Sequence, residues 1–321
     1  MAAAAAACMP AGAPTSHRRR CCRRRQVATA AASSGGPLDC SARLAAVRAA
    51  EQQQTLPLFA DGYAAAAAEA AAAAGGALPE ALDAPDLQRE ALATRFLDEQ
   101  LLKAATIVNL ERDLTQEYNQ VVLVGDAFDT RPFRLPWPEG TLLFCVAPTA
   151  AHAAADAAFK AAGARVPRGC LLRRVPAELA DGASFAGALE TAGFRGDRLS
   201  VWALQGVACL GLGAPEVSAL LVDITNLAAF DSLVAGMLPP MTRRALDNLL
   251  ASFGLLGAGV DFGQQTDWGR WRGDLALDPQ GERPWLFVAQ QKRLSNREMG
   301  IYEDHVAAAE EVDEDTPLDF S

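Results

Sequence analysis

Acidic, basic and amide side chains follow two short apolar runs of this sequence, and these residue types could bind or transform a ligand. The run 120–124 is followed by Gly125-Asp-Ala-Phe-Asp-Thr-Arg131, which places two carboxylates and a guanidinium within seven residues. The run 199–204 is followed by Gln205 and Gly206. Carboxylate and guanidinium groups this close together either bind a polar ligand or form a buried ion pair that shapes the turn. The spacing leaves both interpretations open.

The turn at Gly125 does not match the common nucleotide-binding motifs. It holds a single glycine, so neither a GxGxxG dinucleotide fingerprint nor a GxxxxGK[ST] phosphate loop is present there. A glycine at this place still lets the backbone turn sharply and come close to a ligand. These features disfavour a nicotinamide oxidoreductase, and they leave the catalytic residue unassigned.

The cysteines and histidines do not form a metal-binding pattern. No CxxC pair is present, and His152 and His305 do not lie at ligand spacing from the cysteines outside the leader, which are Cys40, Cys145, Cys170 and Cys209. We therefore expect no metal site and no disulfide framework. Most of these cysteines are expected to be ordinary buried thiols.

Strands that alternate with helices must position the polar residues. Periodicity predicts helices over about 39–54, 64–74, 86–112, 150–163, 183–193, 215–226 and 240–254, and strands over 120–125, 141–146, 170–175, 199–204 and 285–290, whereas 227–234 is ambiguous. This alternation predicts an α/β fold with a doubly wound, mostly parallel sheet. Ligands of such sheets bind beyond the carboxyl ends of the strands, which draws attention to the segments after 124, 146 and 204.

Charge divides the chain into three parts. Residues 1–36 hold six arginines and no acid, and they are rich in Ala, Ser and Thr, which is typical of an organelle transit peptide. A disordered basic tail is the alternative; a plastid is preferred to a mitochondrion as the destination. Residues 37–294 are expected to form one domain, and 295–321 an acidic tail. The net charge of −10 disfavours general nucleic-acid binding, and no apolar run reaches the roughly 18 residues of a membrane span.

The segment Val121-Val-Leu-Val-Gly-Asp-Ala-Phe-Asp-Thr-Arg-Pro-Phe-Arg-Leu135 resembles the first motif of the leucine carboxyl methyltransferase-like family, which reads roughly VVxLGAGxDTRxxRL. The segments 45–51, 59–63, 94–98, 174–179 and 201–206 also resemble that family, so the similarity covers about residues 40–290. It implies a Rossmann-like fold of the class I methyltransferase type with extra amino-terminal helices. It also implies S-adenosylmethionine (SAM) as cofactor, and methyl transfer to an oxygen of a small-molecule or carboxylate acceptor.

The resemblance marks candidate cofactor-binding residues. Asp129 and Arg131 match the family motif, Glu178 stands where the family has an acid near the adenine, and Gln205 replaces the glutamate of the family's W-x-x-E-G. Arg95 is an imperfect substitute for an arginine that the family places at Ala93, because it lies about 200° further round the helix. The full candidate set is Gly125, Asp126, Asp129, Arg131, Glu178, Gln205 and Arg95.

Several family contacts are missing. Cys145 and Ala147 replace two acids at the end of the second strand, where a carboxylate would hold the ribose hydroxyls, and Ala127 replaces a glycine. Two lost charged hydrogen bonds would weaken SAM binding by roughly 3–6 kcal/mol, or two to four orders of magnitude. Two hypotheses follow: an active SAM-dependent O-methyltransferase, or a degenerate, non-catalytic binding module of the same fold that has lost tight cofactor binding.

Overall fold

The computed structural model describes residues 36–79, 84–107, 117–179, 185–210, 212–260, 262 and 281–292, all of which lie within the unit Ser33–Ser321. The predicted leader and the predicted acidic tail lie outside these residues. No helix in the described ranges is long and apolar enough to cross a membrane.

Seven strands of the described chain form one sheet. They are β1 (Gln120–Val124), β2 (Leu142–Ala147), β3 (Leu171–Pro176), β4 (Ser200–Leu204), β5 (Leu233–Met241), β6 (Leu255–Val260) and β7 (Arg283–Gln291). Their spatial order is β3-β2-β1-β4-β5-β7-β6; β1 to β5 run parallel, and β7 pairs antiparallel with β5 and β6. The chain reverses its direction of strand addition between β1 and β4, so the predicted doubly wound sheet is confirmed.

Helices precede the sheet and connect its strands. In the described residues they are α1 (Pro37–Gln52), α2 (Ala64–Ala73), α3 (Ala84–Ala105), α4 (Arg131–Arg134), α5 (Thr149–Ala161), α6 (Phe185–Thr191), α7 (Ala214–Leu227) and α8 (Arg243–Ser252). A short 3-10 helix, Gly206–Cys209, follows β4 directly. The predicted helix at 86–112 is described only as far as residue 107.

The central strands β1 and β4 carry apolar residues on both faces, which explains why they are buried. Every residue of β1 and β4 is buried. Trp202 of β4 is fully buried and donates from Nε1 to Ser200 Oγ at 2.9 Å, so it is a core residue. On one side of the sheet, α1 and α2 bring alanines against the end of β2 and against α5, where Ala147 is fully buried. Side chains this small let the two helices approach closely over the end of β2.

Two strands were missed in the sequence, and one helix start was wrong. The strand β5 begins at Leu233, within the ambiguous segment 227–234, and continues to Met241. It therefore includes Pro240, where a helix was expected to start, and α8 begins only at Arg243. Pro239 and Pro240 lie where the pairing register with β7 shifts, which is where a strand tolerates residues that lack an N–H. The strand β6 was not predicted because its glycines weaken the β pattern. A Cβ on Gly257 would lie 2.1 Å from the carbonyl oxygen of Val288 in β7, so glycine is needed there.

Candidate functional site

The candidate site lies at the carboxyl ends of the adjacent strands β1 and β4. Gly125 follows β1 with φ +98°, a left-handed backbone that favours glycine, and its N–H donates to the carbonyl of Val146 at 2.9 Å. Gly206 follows β4 on the neighbouring strand. A Cβ on Gly206 would lie 2.8 Å from the carbonyl carbon of Gly125, so the two backbones touch. The turn that the sequence marked as a ligand-binding position therefore rests directly on the end of β4.

Arg131 is the centre of a buried set of hydrogen bonds next to these glycines. Its Nη1 donates to Asp129 Oδ2 at 2.7 Å and its Nε donates to Asp98 Oδ1 at 2.8 Å. Its Nη2 donates to Gln205 Oε1. Burial alone would lower the pKa of Arg131, but the two carboxylates raise it well above its ordinary value. The pKa of Asp129 is lowered: burial opposes ionisation, and the charges of Arg131 and Arg48 outweigh it.

Arg48 of α1 forms a second group of contacts at the same turn. Its Nη1 donates to Asp126 Oδ2 at 3.0 Å, and its Nη2 donates to the carbonyl of Phe128 at 2.9 Å. Its Nε lies 3.6 Å from Asp61 Oδ2, and that oxygen also accepts a hydrogen bond from Thr130 Oγ1 at 2.6 Å. The pKa of Asp126 is raised because burial outweighs the charge of Arg48. The Asp126 carboxylate is therefore turned back onto the protein.

The two groups join through Asp98 and Arg134 into one cluster, which we call the rim network. Arg134 donates to both oxygens of Asp98, at 2.6 and 2.8 Å, and its Nε lies 3.6 Å from Asp61. The charged members have side chains at most 7% exposed: Arg48, Arg131, Arg134, Asp61, Asp98, Asp126 and Asp129. With all seven ionised, the network carries one more negative than positive charge. That excess favours a cationic group of a ligand where it lies directly beside the network.

Gln205 links the rim network to α3. Its Nε2 donates to Thr94 Oγ1 at 2.7 Å while its Oε1 accepts from Arg131, so both ends of the amide are used. Glu90, one turn before Thr94, is 4% exposed, and its Oε2 has no hydrogen-bond partner among the described residues. Burial raises the pKa of Glu90, and the charge of Arg43 opposes this shift. An amide at position 205 cannot accept a proton from a ligand.

The four positions at which the family resemblance implied lost contacts are buried. Ala93 and Ala147 are fully buried, and Cys145 and Ala127 are each 1% exposed. Burial raises the pKa of the Cys145 thiol, so it remains neutral. None of these four side chains carries a charge, so none can supply the contacts that the resemblance implies are missing.

Two candidate cofactor-binding residues lie apart from the others. Arg95 donates from Nη1 to the carbonyl of Leu58 at 2.8 Å and from Nε to Glu99 Oε1 at 2.6 Å, so it is directed to the loop after α1. Glu178 is exposed, two residues after the end of β3. The structure brings together Gly125, Asp126, Asp129, Arg131 and Gln205.

Several members of the rim network were not assigned a role from the sequence. Arg48, Asp61 and Asp98 lie in the segments 45–51, 59–63 and 94–98, which resemble the family. The charged residues that stand among apolar and small ones in these segments were the signal that could have identified them. Their partners are 33 to 80 residues away in the chain, and spacing does not reveal contacts over such separations.

One cysteine departs from the expectation of free thiols. Cys145 and Cys170 are free, but Cys40 of α1 is disulfide-bonded, and its partner is not among the side chains that the structure describes. The Cys40 sulfur lies 3.3 Å from the carbonyl oxygen of Gly206, so this bond lies next to the end of β4. Within the described ranges, no group of three His, Cys, Asp or Glu side chains could hold a metal ion.

The strand order, together with a polar site at the ends of β1 and β4, defines a protein with the fold of the class I SAM-dependent methyltransferases. The family model described as leucine carboxyl methyltransferase matches residues 41–225. The chain belongs to this family, and SAM is the family's cofactor. The family assignment made from the sequence is therefore confirmed.

Similar proteins carry related names. The chain is 31% identical over 290 residues to "O-methyltransferase 1, chloroplastic" of Oryza sativa subsp. japonica, covering 87% of this chain and 78% of that protein. It is 37% identical over 160 residues to a "Putative S-adenosyl-L-methionine-dependent methyltransferase" of Parafrankia sp. (strain EAN1pec), covering 50% of this chain and 46% of that protein. Among solved structures, the CurJ carbon methyltransferase aligns with a TM-score of 0.43 at 11% identity, covering 66% of this chain and 59% of that one.

Proposed function

We propose that this protein transfers a methyl group from SAM to an oxygen of a small carboxylate-bearing acceptor in the chloroplast. The observation that carries the proposal is the meeting of the first motif, at Gly125 and Arg131, with Gln205 at the switch point of the sheet. Parallel α/β sheets bind their ligands at this position. The family match supports the reaction class, and the name of the rice relative supports both oxygen as the methylated atom and the plastid.

The choice of a carboxylate acceptor follows from the residues around Gln205. Its amide cannot take a proton, and the carboxylates of Asp98 and Asp129 beside it are paired with Arg131 and Arg134. A hydroxyl acceptor would require a base at this point, whereas a carboxylate is already ionised at neutral pH. The chain's own residues would then orient the acceptor and exclude water, which are the contributions that a direct methyl transfer needs.

The fit of SAM to these residues is incomplete. The negative excess of the rim network suits a sulfonium, whereas the Cβ side of Gly125 is occupied by the backbone of Gly206. The ends of α3 and β2 do not fit the family's contacts, because Ala93 and Ala147 are fully buried and neither offers a group to the cofactor carboxylate or the ribose. For this reason we derive no step of the reaction from the position of a bound cofactor.

A second candidate function follows from that incomplete fit. The protein would be a non-catalytic binding module with the methyltransferase fold. Three observations favour it. Ala93, Cys145 and Ala147 are buried, and Arg48 binds the Asp126 carboxylate. Both ends of the Gln205 amide form hydrogen bonds within the protein.

Calorimetry on the full chain separates the two candidates. We expect S-adenosylhomocysteine to bind weakly. Its dissociation constant should be roughly two to four orders of magnitude higher than that of a site with both charged contacts. In Cys145→Glu/Ala147→Asp, the restored acids should tighten binding at least about tenfold, which corresponds to about 1.4 kcal/mol. Because both positions are buried, circular dichroism must show that this variant is folded. Cys170→Glu, on the edge of the sheet, is the matched control and should leave binding unchanged.

Two outcomes decide between the candidates. Binding together with transfer of labelled methyl to a carboxylate supports the methyltransferase. Absence of binding in the wild type and in the folded double variant contradicts it and favours the non-catalytic module. For the location, we propose that residues 1–36 direct import into the plastid, and a fluorescent protein fused to residues 1–40 tests this. Cytosolic fluorescence would contradict the proposal, and mitochondrial fluorescence would favour the alternative destination.

A further inference from the structure

A groove of about 360 Å³ lies between the end of α5, the short helix α4 and the start of β3. The helix α5 begins after the carboxyl end of β2 and runs back along the sheet, so its last residues lie towards the amino ends of the strands. The groove is lined there by Lys160 of α5, by Arg165 after it, and by Leu172 near the start of β3. None of the residues that line the groove belongs to the rim network.

The groove combines an aromatic floor with cationic walls. The ring centroids of Phe133 and Phe159 are 4.7 Å apart, and both residues line the groove. Lys160 and Arg165 are exposed, and no carboxylate of the described residues forms an ion pair with either. Asp156 also lines the groove, and its carboxylate pairs with Arg174. The groove thus offers two cations and an apolar surface to an acidic, partly apolar occupant.

The surface around the groove is basic within an acidic chain. Between Asp156 and Glu178 the sequence holds five cations and no acid: Lys160, Arg165, Arg168, Arg173 and Arg174. All except Arg174 are exposed. In a chain of net charge −10, this is a local reversal of the overall sign. Such a patch attracts a negatively charged segment, and more so at low ionic strength.

The chain itself contains a segment of matching chemistry. Residues 303–319 hold eight acids and no lysine or arginine, and Leu318 and Phe320 add apolar side chains at one end. We propose that this acidic segment, residues 303–320, docks on the basic groove of the same chain. Its carboxylates would meet Lys160 and Arg165, and its apolar residues would meet the partly exposed ring of Phe133.

Chain geometry permits this contact. The strand β7 runs antiparallel to β5 with Gln290 opposite Leu233, so Lys292 lies at the amino ends of the parallel strands, which is also the end at which the groove lies. Five strand spacings separate β7 from β3, or about 24 Å. The eleven residues from Lys292 to Glu303 can reach about 35 Å when extended. An intramolecular contact also gains from a high effective concentration, so several weak charge pairs suffice.

Hydrogen exchange on the full chain, followed by mass spectrometry, tests the proposal. At low salt, amides in 303–320 should exchange at least about threefold more slowly in the wild type than in Lys160→Glu/Arg165→Glu. This protection should disappear in about 0.5 M salt, where the Debye length falls to a few ångströms. Lys103→Glu/Arg195→Glu makes the same charge change at exposed positions elsewhere and should keep the protection. Unchanged melting curves will show that each variant is folded.

A charge-swap variant makes the test specific. Replacing Glu310, Glu311, Asp313 and Glu314 with lysine should abolish the protection. Combining this change with Lys160→Glu/Arg165→Glu should restore it. Equal exchange in the wild type and in Lys160→Glu/Arg165→Glu would overturn the proposal. Protection that rises with protein concentration would also overturn it, because the segment would then be binding a second copy. None of these outcomes depends on SAM binding.

Discussion

Gly125 and Gly206 end two adjacent parallel strands with their backbones in contact. A Cβ on Gly206 would lie 2.8 Å from the carbonyl carbon of Gly125, and a Cβ on Gly125 would lie 3.2 Å from the Cα of Gly206. Both glycines belong to segments that resemble the family. Their mutual contact gives a packing reason for both, independent of any ligand.

The first prediction concerns this contact. Gly206→Ala should destabilise the protein by about 1–3 kcal/mol, because the added methyl group meets the backbone and not a side chain that can move. Urea unfolding measures the change. Gly187→Ala is the matched control: a Cβ there has no atom within 4 Å and lies in α6, so it should be neutral or slightly stabilising. Equal effects for the two variants would show that the strand ends can separate freely.

The parts of the fold that the sequence predicted are those with a strong local pattern. β1, β2 and β4 are apolar runs because they are buried on both faces, and this pattern is unambiguous. β5 and β6 carry proline or glycine for reasons that depend on β7, which is more than 20 residues away. Pro239 lies at a shift in pairing, and Gly257 packs against the β7 backbone. A local pattern does not contain that information.

Only part of the site could be predicted from the sequence. The motif residues Asp129, Arg131 and Gln205 could be identified by resemblance, and the sheet brings them together. The sequence did not show that Arg48 of α1 would hold Asp126, 78 residues away, or that Asp98 would lie between two arginines. Such contacts arise when the amino-terminal helices pack over the sheet.

The second prediction concerns the centre of the rim network. Arg131→Met should cost about 3–5 kcal/mol of unfolding free energy, because it leaves the carboxylates of Asp98 and Asp129 buried with one fewer cation. Chemical denaturation measures it. Arg195→Met removes an arginine from an exposed pair with Asp197 and should leave the unfolding midpoint unchanged. A small effect for Arg131→Met would mean that water reaches the network.

The third prediction concerns the buried carboxyl of Glu90. Burial raises its pKa above the ordinary value of 4.5, so the folded state holds the proton more tightly than the unfolded state does. Its stabilising contribution is complete below pH 4.5 and is lost as the pH rises through the raised pKa. Glu90→Gln removes the charge and should therefore raise the melting temperature more at about pH 8 than at about pH 4.

Thermal melts of Glu90→Gln across this pH range provide the test. Glu99→Gln on the same helix is the control, because Glu99 is partly exposed and pairs with Arg95 at the surface. The difference in melting temperature between Glu99→Gln and the wild type should be small at both pH values. If Glu90→Gln shows the same difference from the wild type at both ends of the range, the carboxyl of Glu90 does not titrate between them.

The fourth prediction concerns His152, a buried side chain at the start of α5. Its Nε2 lies 3.1 Å from the carbonyl oxygen of Val175, which only accepts, so Nε2 carries the proton. Nδ1 faces Arg174 Nη1 at 3.5 Å. Burial lowers the pKa of His152 and Arg174 lowers it further, although the bond to Val175 opposes both effects. The imidazole should therefore remain neutral at a pH at which an exposed histidine is charged.

Nuclear magnetic resonance can follow this titration directly, because the chain has only three histidines. His152 should titrate below its ordinary value of 6.5, and Arg174→Gln should move its pKa upwards by removing a neighbouring cation. Because the folded state binds this proton less tightly than the unfolded state, stability should fall as the pH drops below about 6.5. In His152→Asn that part of the pH dependence should be absent. A wild-type His152 that titrates at or above its ordinary value would mean that the end of β3 is open to water, which would contradict the buried packing around Ala147.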